Sequence, residues 1–136
     1  MRIIGVVLFV AAAMAQAPSF QPVGNISELM ISMIYPTSDA LFYIERTPPK
    51  NEVEWNTLRN HALTLAESGN LLMMAGRAKD QGDWVKDSKM LVDVGRAAYK
   101  AAQAKDMPAI VALNDQLYQS CVVCHTQYRP GFGKRP

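Results

Sequence analysis

The chain contains 136 residues, of which 49% are hydrophobic and 19% are charged. This composition excludes a disordered chain and a collagen-like repeat, and the length fits one globular domain. The net charge is only +2, and basic and acidic residues are interspersed along the chain. The chain therefore lacks the basic patch of a nucleic-acid binder, and no nucleic-acid partner is expected.

Residues 1–15 have the pattern of a secretory signal peptide. A basic start at Arg2 is followed by an apolar run over residues 3–13 and by an A-x-A cleavage pattern that ends at Ala15. The apolar run is shorter than the roughly 20 residues of a membrane span. We therefore expect cleavage after Ala15, a periplasmic location, and a mature chain of residues 16–136 that forms a single domain without a membrane span.

The first predicted helix covers about residues 26–46, where apolar residues recur at three-and-four spacing. Asn25 or Ser27 is available as its N-cap. Pro36 lies inside this helix, where it removes one backbone hydrogen bond and crowds the preceding turn. We expect a kink or a local widening of the helix over residues 32–36.

Two further helices follow a breaker cluster at residues 47–50. Asn51, followed three residues later by Glu54, resembles a capping box for the second helix. Gly69 weakens that helix by about 1 kcal/mol relative to alanine. Asp83 is the expected N-cap of the third helix.

The fourth predicted helix begins after Asp106, a candidate N-cap, with Pro108 tolerated in its first turn. Its apolar face continues until Pro130-Gly131 ends it. No stretch of the chain alternates apolar and polar residues long enough to predict a strand. The sequence therefore predicts an all-α fold, an antiparallel up-down-up-down four-helix bundle joined by short loops.

The most informative run is Cys121-Val122-Val123-Cys124-His125, which has the C-x-x-C-H pattern of c-type haem attachment. Two thiols three positions apart lie on one side of a helical turn, so they can add across the two vinyl groups at one porphyrin edge. The adjacent imidazole can bind the iron. We predict one covalent haem c, attached through Cys121 and Cys124, with His125 as the proximal iron ligand.

Other chemistries share this pattern. A thioredoxin-like redox pair normally accompanies a βαβ unit, for which the sequence has no strands. A zinc site would need both His61 and His125, but His61 has no second ligand near it in sequence. A local disulfide or two buried thiols, in a haem-free helical interaction module, is the remaining alternative.

The run from Cys121 to Arg129, close to the C-terminus of a chain with four predicted helices, resembles the class II c-type cytochromes, namely cytochrome c′ and its low-spin relatives. In ordinary class I cytochromes c the same motif lies near the N-terminus. The resemblance implies a haem inside a four-helix bundle, His125 on the last helix, Arg129 near the haem and a distal residue on the first helix. It also makes a homodimer a candidate assembly.

The resemblance and the antiparallel packing together select Met30 as the sixth iron ligand. Met30 lies about one turn inside the first helix, whose start would lie beside the end of the last helix. Met33, about 4.5 Å further along the helix axis, is the alternative ligand. Met73 and Met74 belong to a helix that this family does not use for ligation.

The distal ligand decides between two functions. A thioether opposite the imidazole closes the iron to gases and suits a periplasmic carrier of single electrons between redox partner proteins. A pocket without a distal ligand suits a five-coordinate haem protein that binds NO or CO. No nucleophile–base pair, phosphate loop or carboxylate cluster is present in the sequence, so we do not expect an enzyme.

Overall fold

The backbone of residues 19–133, which the computed structural model describes, contains helices and no strand. In chain order the elements are α1 (Ile26–Leu29), a π-helical segment (Met30–Ile34), α2 (Tyr35–Phe42), α3 (Glu52–Leu72), α4 (Asp83–Gln103), α5 (Met107–Val111) and α6 (Asn114–Tyr128). The first three elements are continuous, and α5 leads closely into α6. The prediction of an all-α chain with four helices packed together is confirmed.

The sequence predicts a signal peptide and no membrane span, and the described residues bear on only the second of these. The predicted signal peptide, residues 1–15, lies outside the described residues. Over residues 19–133, no helix combines the length and the hydropathy that crossing a membrane requires.

Asn25, rather than Ser27, caps the first helix. The Asn25 side chain accepts a hydrogen bond of 3.0 Å from the backbone N–H of Glu28. The Glu28 carboxylate accepts one of 2.8 Å from the backbone N–H of Asn25. These two bonds form a capping box. It satisfies two backbone N–H groups at the start of the helix, which have no carbonyl partner because no helical turn precedes them.

The first helix widens just before Pro36, as the sequence predicts. The π-helical segment covers Met30–Ile34, and Pro36 follows within the first turn of α2. The Thr37 hydroxyl donates to the carbonyl oxygens of Met33, at 2.6 Å, and Ile34, at 3.1 Å. The regular helix ends at Phe42 instead of extending to residue 46, and turns follow it.

Helices α3 and α4 approach each other closely at two glycines. A Cβ on Gly69 would lie 2.6 Å from Val92 Cγ2 and 2.9 Å from the carbonyl oxygen of Ser88. A Cβ on Gly95 would lie 2.7 Å from the backbone nitrogen of Ala66. The expected advantage of alanine at residue 69 is therefore wrong for the folded chain, because the facing helix occupies the space that its methyl group needs.

The structure of the loop between α3 and α4 shows that the predicted N-cap of α4 is wrong. Asp83 is the first residue of that helix, and Gly82 is its N-cap, so no side chain caps the helix from that position. Asp80 accepts hydrogen bonds from the backbone N–H groups of Gly82, at 2.8 Å, and Trp84, at 3.1 Å. The Trp84 indole donates to the carbonyl oxygen of Leu72, at 2.8 Å, and so satisfies an acceptor at the end of α3.

Arg77 fastens the start of the first helix to this loop. Its side chain is 8% exposed, and it donates two hydrogen bonds, of 2.9 and 3.2 Å, to the carbonyl oxygen of Gly24. A buried guanidinium needs such partners because desolvation of its charge is costly. The contact sets the residues before α1 against the end of α3.

The last helical segment contains an interruption that the sequence did not predict. Asp106 caps α5 as expected, accepting a hydrogen bond of 2.9 Å from the backbone N–H of Ala109. Residues 112–113 then form a turn before α6 begins at Asn114. The C-x-x-C-H turn, residues 121–125, lies entirely within α6.

The elements form four helical segments: α1 to α2, α3, α4, and α5 with α6. A buried apolar core runs through all four segments and contains Leu29, Ile34, Leu41, Leu58, Leu65, Leu72, Trp84, Leu91, Val94, Ile110 and Leu117.

Candidate functional site

The C-x-x-C-H turn directs its three reactive side chains toward the interior to different extents. Cys124 is buried, whereas Cys121 and His125 are partly exposed. Both cysteines are free thiols in this structure. Because the turn is helical, residues 121 and 124 lie about one turn apart on the same side of α6.

The environment of the cysteines keeps both thiols protonated. Burial raises the pKa of Cys121. Burial, followed by the charges of Asp87 and Cys121, raises the pKa of Cys124 to about 11. A thiol acts as a nucleophile in disulfide exchange only as the thiolate, so this environment opposes the thioredoxin-like alternative.

His125 has the environment of a neutral imidazole. Burial, and then the neighbouring charge of Arg129, lowers its pKa. The ring packs edge-on against Phe132, with ring centroids 5.2 Å apart. A neutral imidazole has a lone pair available for a metal ion. Phe132 was not among the predicted site residues, although it lies only seven positions after His125.

Three cavities surround the C-x-x-C-H turn, and Met30 and His125 line all three. The first outer cavity has a volume of about 430 Å³, and the second outer cavity of about 450 Å³. Arg129 lines both outer cavities. The inner cavity has a volume of about 50 Å³, and both cysteines line it. The structure therefore groups Met30 with Cys121, Cys124, His125 and Arg129.

Met33 lies on another side of the same helical segment. It lines a separate cavity of about 480 Å³, together with Leu71, Met74 and Arg77. Neither Cys121 nor His125 is among the described residues that line this cavity. The two candidate methionines, three positions apart in the π-helical segment, thus lie in different environments.

An aromatic pair forms one wall of the first outer cavity. Trp84 and Tyr128 pack edge-on, with ring centroids 4.9 Å apart. The Tyr128 hydroxyl donates a hydrogen bond to Asp80, which raises the pKa of Tyr128 and lowers that of Asp80. Since Asp80 also accepts a hydrogen bond from the backbone N–H of Trp84 in the first turn of α4, one carboxylate holds the last turn of α6 against the loop before α4. Lys79, which the sequence interpretation did not single out, lies at the same cavity.

Two buried polar side chains of α4 face the inner cavity without partners. Asp87 is 3% exposed and Ser88 is 2% exposed. Among the described residues, 19–133, Asp87 Oδ2 and Ser88 Oγ find no hydrogen-bond partner. Sequence analysis missed both residues, but a signal was present, because they lie at helical spacing between the apolar residues Trp84 and Leu91.

The second histidine is remote from this site. His61 lines a cavity of about 430 Å³ beside the loop between α2 and α3, together with Arg46, Lys50 and Glu54. Within residues 19–133, no group of three or more His, Cys, Asp or Glu side chains is arranged to hold a metal ion. His61 and His125 line different cavities, so the described residues do not assemble the Cys2His2 zinc alternative.

The site thus combines two free thiols, a neutral imidazole and a thioether around three neighbouring cavities, with Arg129 and Lys79 at its margin. These donors could hold a haem and its iron. Comparisons with known proteins add no family assignment: no family model, no curated protein and no solved structure matches the chain significantly.

Proposed function

We propose that this protein is a periplasmic c-type cytochrome that carries single electrons between redox partner proteins, with one haem covalently attached through Cys121 and Cys124. The single observation that carries the proposal is that Met30 and His125 line the same three cavities around the C-x-x-C-H turn. The proposal includes the antiparallel up-down-up-down order of the helices, export after removal of residues 1–15, and a haem domain of residues 16–136.

The donor set of the chain is chemically suited to this group. Each protonated thiol would add its sulfur and its hydrogen across one vinyl double bond, a step that needs no oxidant. The neutral imidazole of His125 and the thioether of Met30 are both ligands that iron accepts in cytochromes. The guanidinium of Arg129 lies at both outer cavities, where it could pair with a carboxylate of the porphyrin.

The residues around the site would position the two iron ligands and exclude water. When bound, the haem supplies an iron that takes up or releases one electron. The carboxylate of Asp80 and the hydroxyl of Tyr128 hold the turn of α6 that follows His125. The π-helical segment sets Met30 toward the cavities and Met33 away from them. A fixed ligand pair changes little between oxidation states, which suits electron transfer.

Near-infrared absorption of the oxidised protein tests this proposal against the alternative of a five-coordinate protein that binds NO or CO. We expect a methionine-to-iron charge-transfer band that disappears in Met30→Ala and survives in the matched control Met33→Ala. We also expect CO to bind readily to reduced Met30→Ala and poorly to the wild type. A wild-type protein without the band that binds CO would favour the gas-binding alternative and contradict the electron carrier.

A further inference from the structure

The inner cavity is lined by a buried acidic side chain that the surrounding residues leave without a hydrogen-bond partner at one of its oxygens. Asp87 is 3% exposed, and its Oδ2 atom has no hydrogen-bond partner in the part of the chain that the structure describes. Ser88, beside it on α4, also has an unpartnered hydroxyl. Both residues line the inner cavity with Cys121, Cys124 and His125. Two neighbouring polar groups are thus buried and unsatisfied where the reactive turn of α6 packs against α4.

Nothing in the packing of α4 requires a carboxylate at residue 87. A buried unpaired charge costs free energy, and an apolar side chain would continue the stripe between Trp84 and Leu91. The nearby charges add to this cost on balance, since Asp83 and Asp80 repel the carboxylate and only Lys86 attracts it. Groups kept in such unfavourable positions beside a cavity occur preferentially at functional sites.

We infer that Asp87 is a tuning residue for the haem of the proposed function, and that its carboxylate favours the oxidised iron and so lowers the midpoint reduction potential of the protein. This inference rests on the proposed function. Oxidised iron carries one more positive charge than reduced iron, so a nearby negative charge stabilises the oxidised state more. The same inner cavity is lined by Asp87 and by both predicted iron ligands, Met30 and His125.

The expected size of the effect follows from Coulomb's law. A unit charge at about 10 Å, in a medium with an effective dielectric constant of about 20, contributes about one tenfold step in an equilibrium constant. For a one-electron couple, a tenfold step corresponds to about 59 mV. Removal of the charge should therefore raise the midpoint potential by tens of millivolts, about 59 mV if the carboxylate lies about 10 Å from the iron.

The test is a spectroelectrochemical titration of the haem-bearing protein at one pH and one ionic strength. Asp87→Asn removes the charge and retains the shape, and Asp87→Ser provides the same comparison should the first variant not accumulate. Asp93→Asn is the matched control, because Asp93 is a partly exposed carboxylate on the same helix that pairs with Lys89 and Arg96. Asp87→Glu retains the charge, and the inner cavity offers space for its extra methylene.

The inference expects a raised potential in the charge-free variants at residue 87, and potentials close to the wild type in Asp93→Asn and Asp87→Glu. A haem-bearing Asp87→Asn with the wild-type potential would overturn it, as would an equal shift in Asp93→Asn. Either result would leave the proposed function intact. A wild-type protein that carries no covalent haem would overturn the proposed function, and this inference with it.

Discussion

Met30 and Met33 show how a small backbone change decides which side chain reaches a site. In a regular α-helix, residues three apart lie on neighbouring parts of one face. Here the widened backbone of residues 30–34 sets Met30 beside His125 and Met33 beside Met74. The sequence supplied both candidates, and the environment of each depends on the π-helical backbone.

The buried carboxylate of Asp87 should also affect stability. Burial, and then the charge of Asp83, raises its pKa above the ordinary value of 3.8. Between the ordinary value and the raised value, the folded state therefore binds more protons than the unfolded state, and wild-type stability falls as the pH rises.

Asp87→Asn has no charge to bury, so it should be more stable than the wild type at pH 7, and this advantage should shrink as the pH approaches the ordinary value of 3.8. Urea unfolding of the haem-bearing proteins at pH 7 and at about pH 4 measures both differences. Asp93→Asn, which removes a partly exposed carboxylate, serves as the control. An Asp87→Asn variant that is less stable than the wild type at pH 7 would contradict the account.

At the scale of the helices, local signals were reliable and signals that depend on a second element were not. Asn25, Asn51 and Asp106 cap helices as predicted, because a cap needs only the few residues that follow it. At α4 the N-cap is Gly82 instead of the predicted Asp83. Asp80 accepts the backbone hydrogen bonds of Gly82 and Trp84, because the loop geometry decides which of two nearby carboxylates reaches these donors.

The partners of buried residues were the least predictable part of the site. The C-x-x-C-H turn could be recognised from the spacing of its residues alone. The place of Asp87 in the site could not, because it depends on the packing of α6 against α4. Considered within α3 alone, Gly69 only weakens the helix. The neighbouring α4 explains why glycine is needed there, because α4 occupies the space that a Cβ would take. Contacts between helices far apart in sequence leave no local pattern in either helix.

The glycines between α3 and α4 give a prediction at this scale. In Gly95→Ala the new Cβ would lie 2.7 Å from the backbone nitrogen of Ala66 and 2.8 Å from its Cα, so the helices must separate. We expect the free energy of unfolding to fall by about 2 kcal/mol. Urea unfolding followed by circular dichroism measures this loss.

Gly24→Ala is the matched control for that measurement. Its Cβ would meet the Glu28 side chain at 3.5 Å and 3.6 Å, which are ordinary contact distances. The stability of this variant should remain within about 0.5 kcal/mol of the wild type. Equal losses in Gly24→Ala and Gly95→Ala would show that the close approach of α3 and α4 is not the cause.

For the whole molecule, the four helical segments bring residues from both ends of the described chain to one site. Met30 comes from the first segment, Asp87 from α4 and the C-x-x-C-H turn from α6. Arg77 and Asp80, in the loop after α3, fasten the first and last segments to this site. These two contacts thus join the loop after α3 to the first and last segments, which supply Met30 and the C-x-x-C-H turn.

The intact mass of the denatured and reduced protein, expressed with export and c-type maturation machinery, tests the central claim most directly. Thioether bonds survive denaturation, reduction and acid, so haem attached through Cys121 and Cys124 must remain on the chain. We predict one species with the mass of residues 16–136 plus one haem. A known c-type cytochrome, expressed in parallel, shows whether the maturation machinery works. If that control carries haem and this protein has the mass of the polypeptide alone, the account is contradicted.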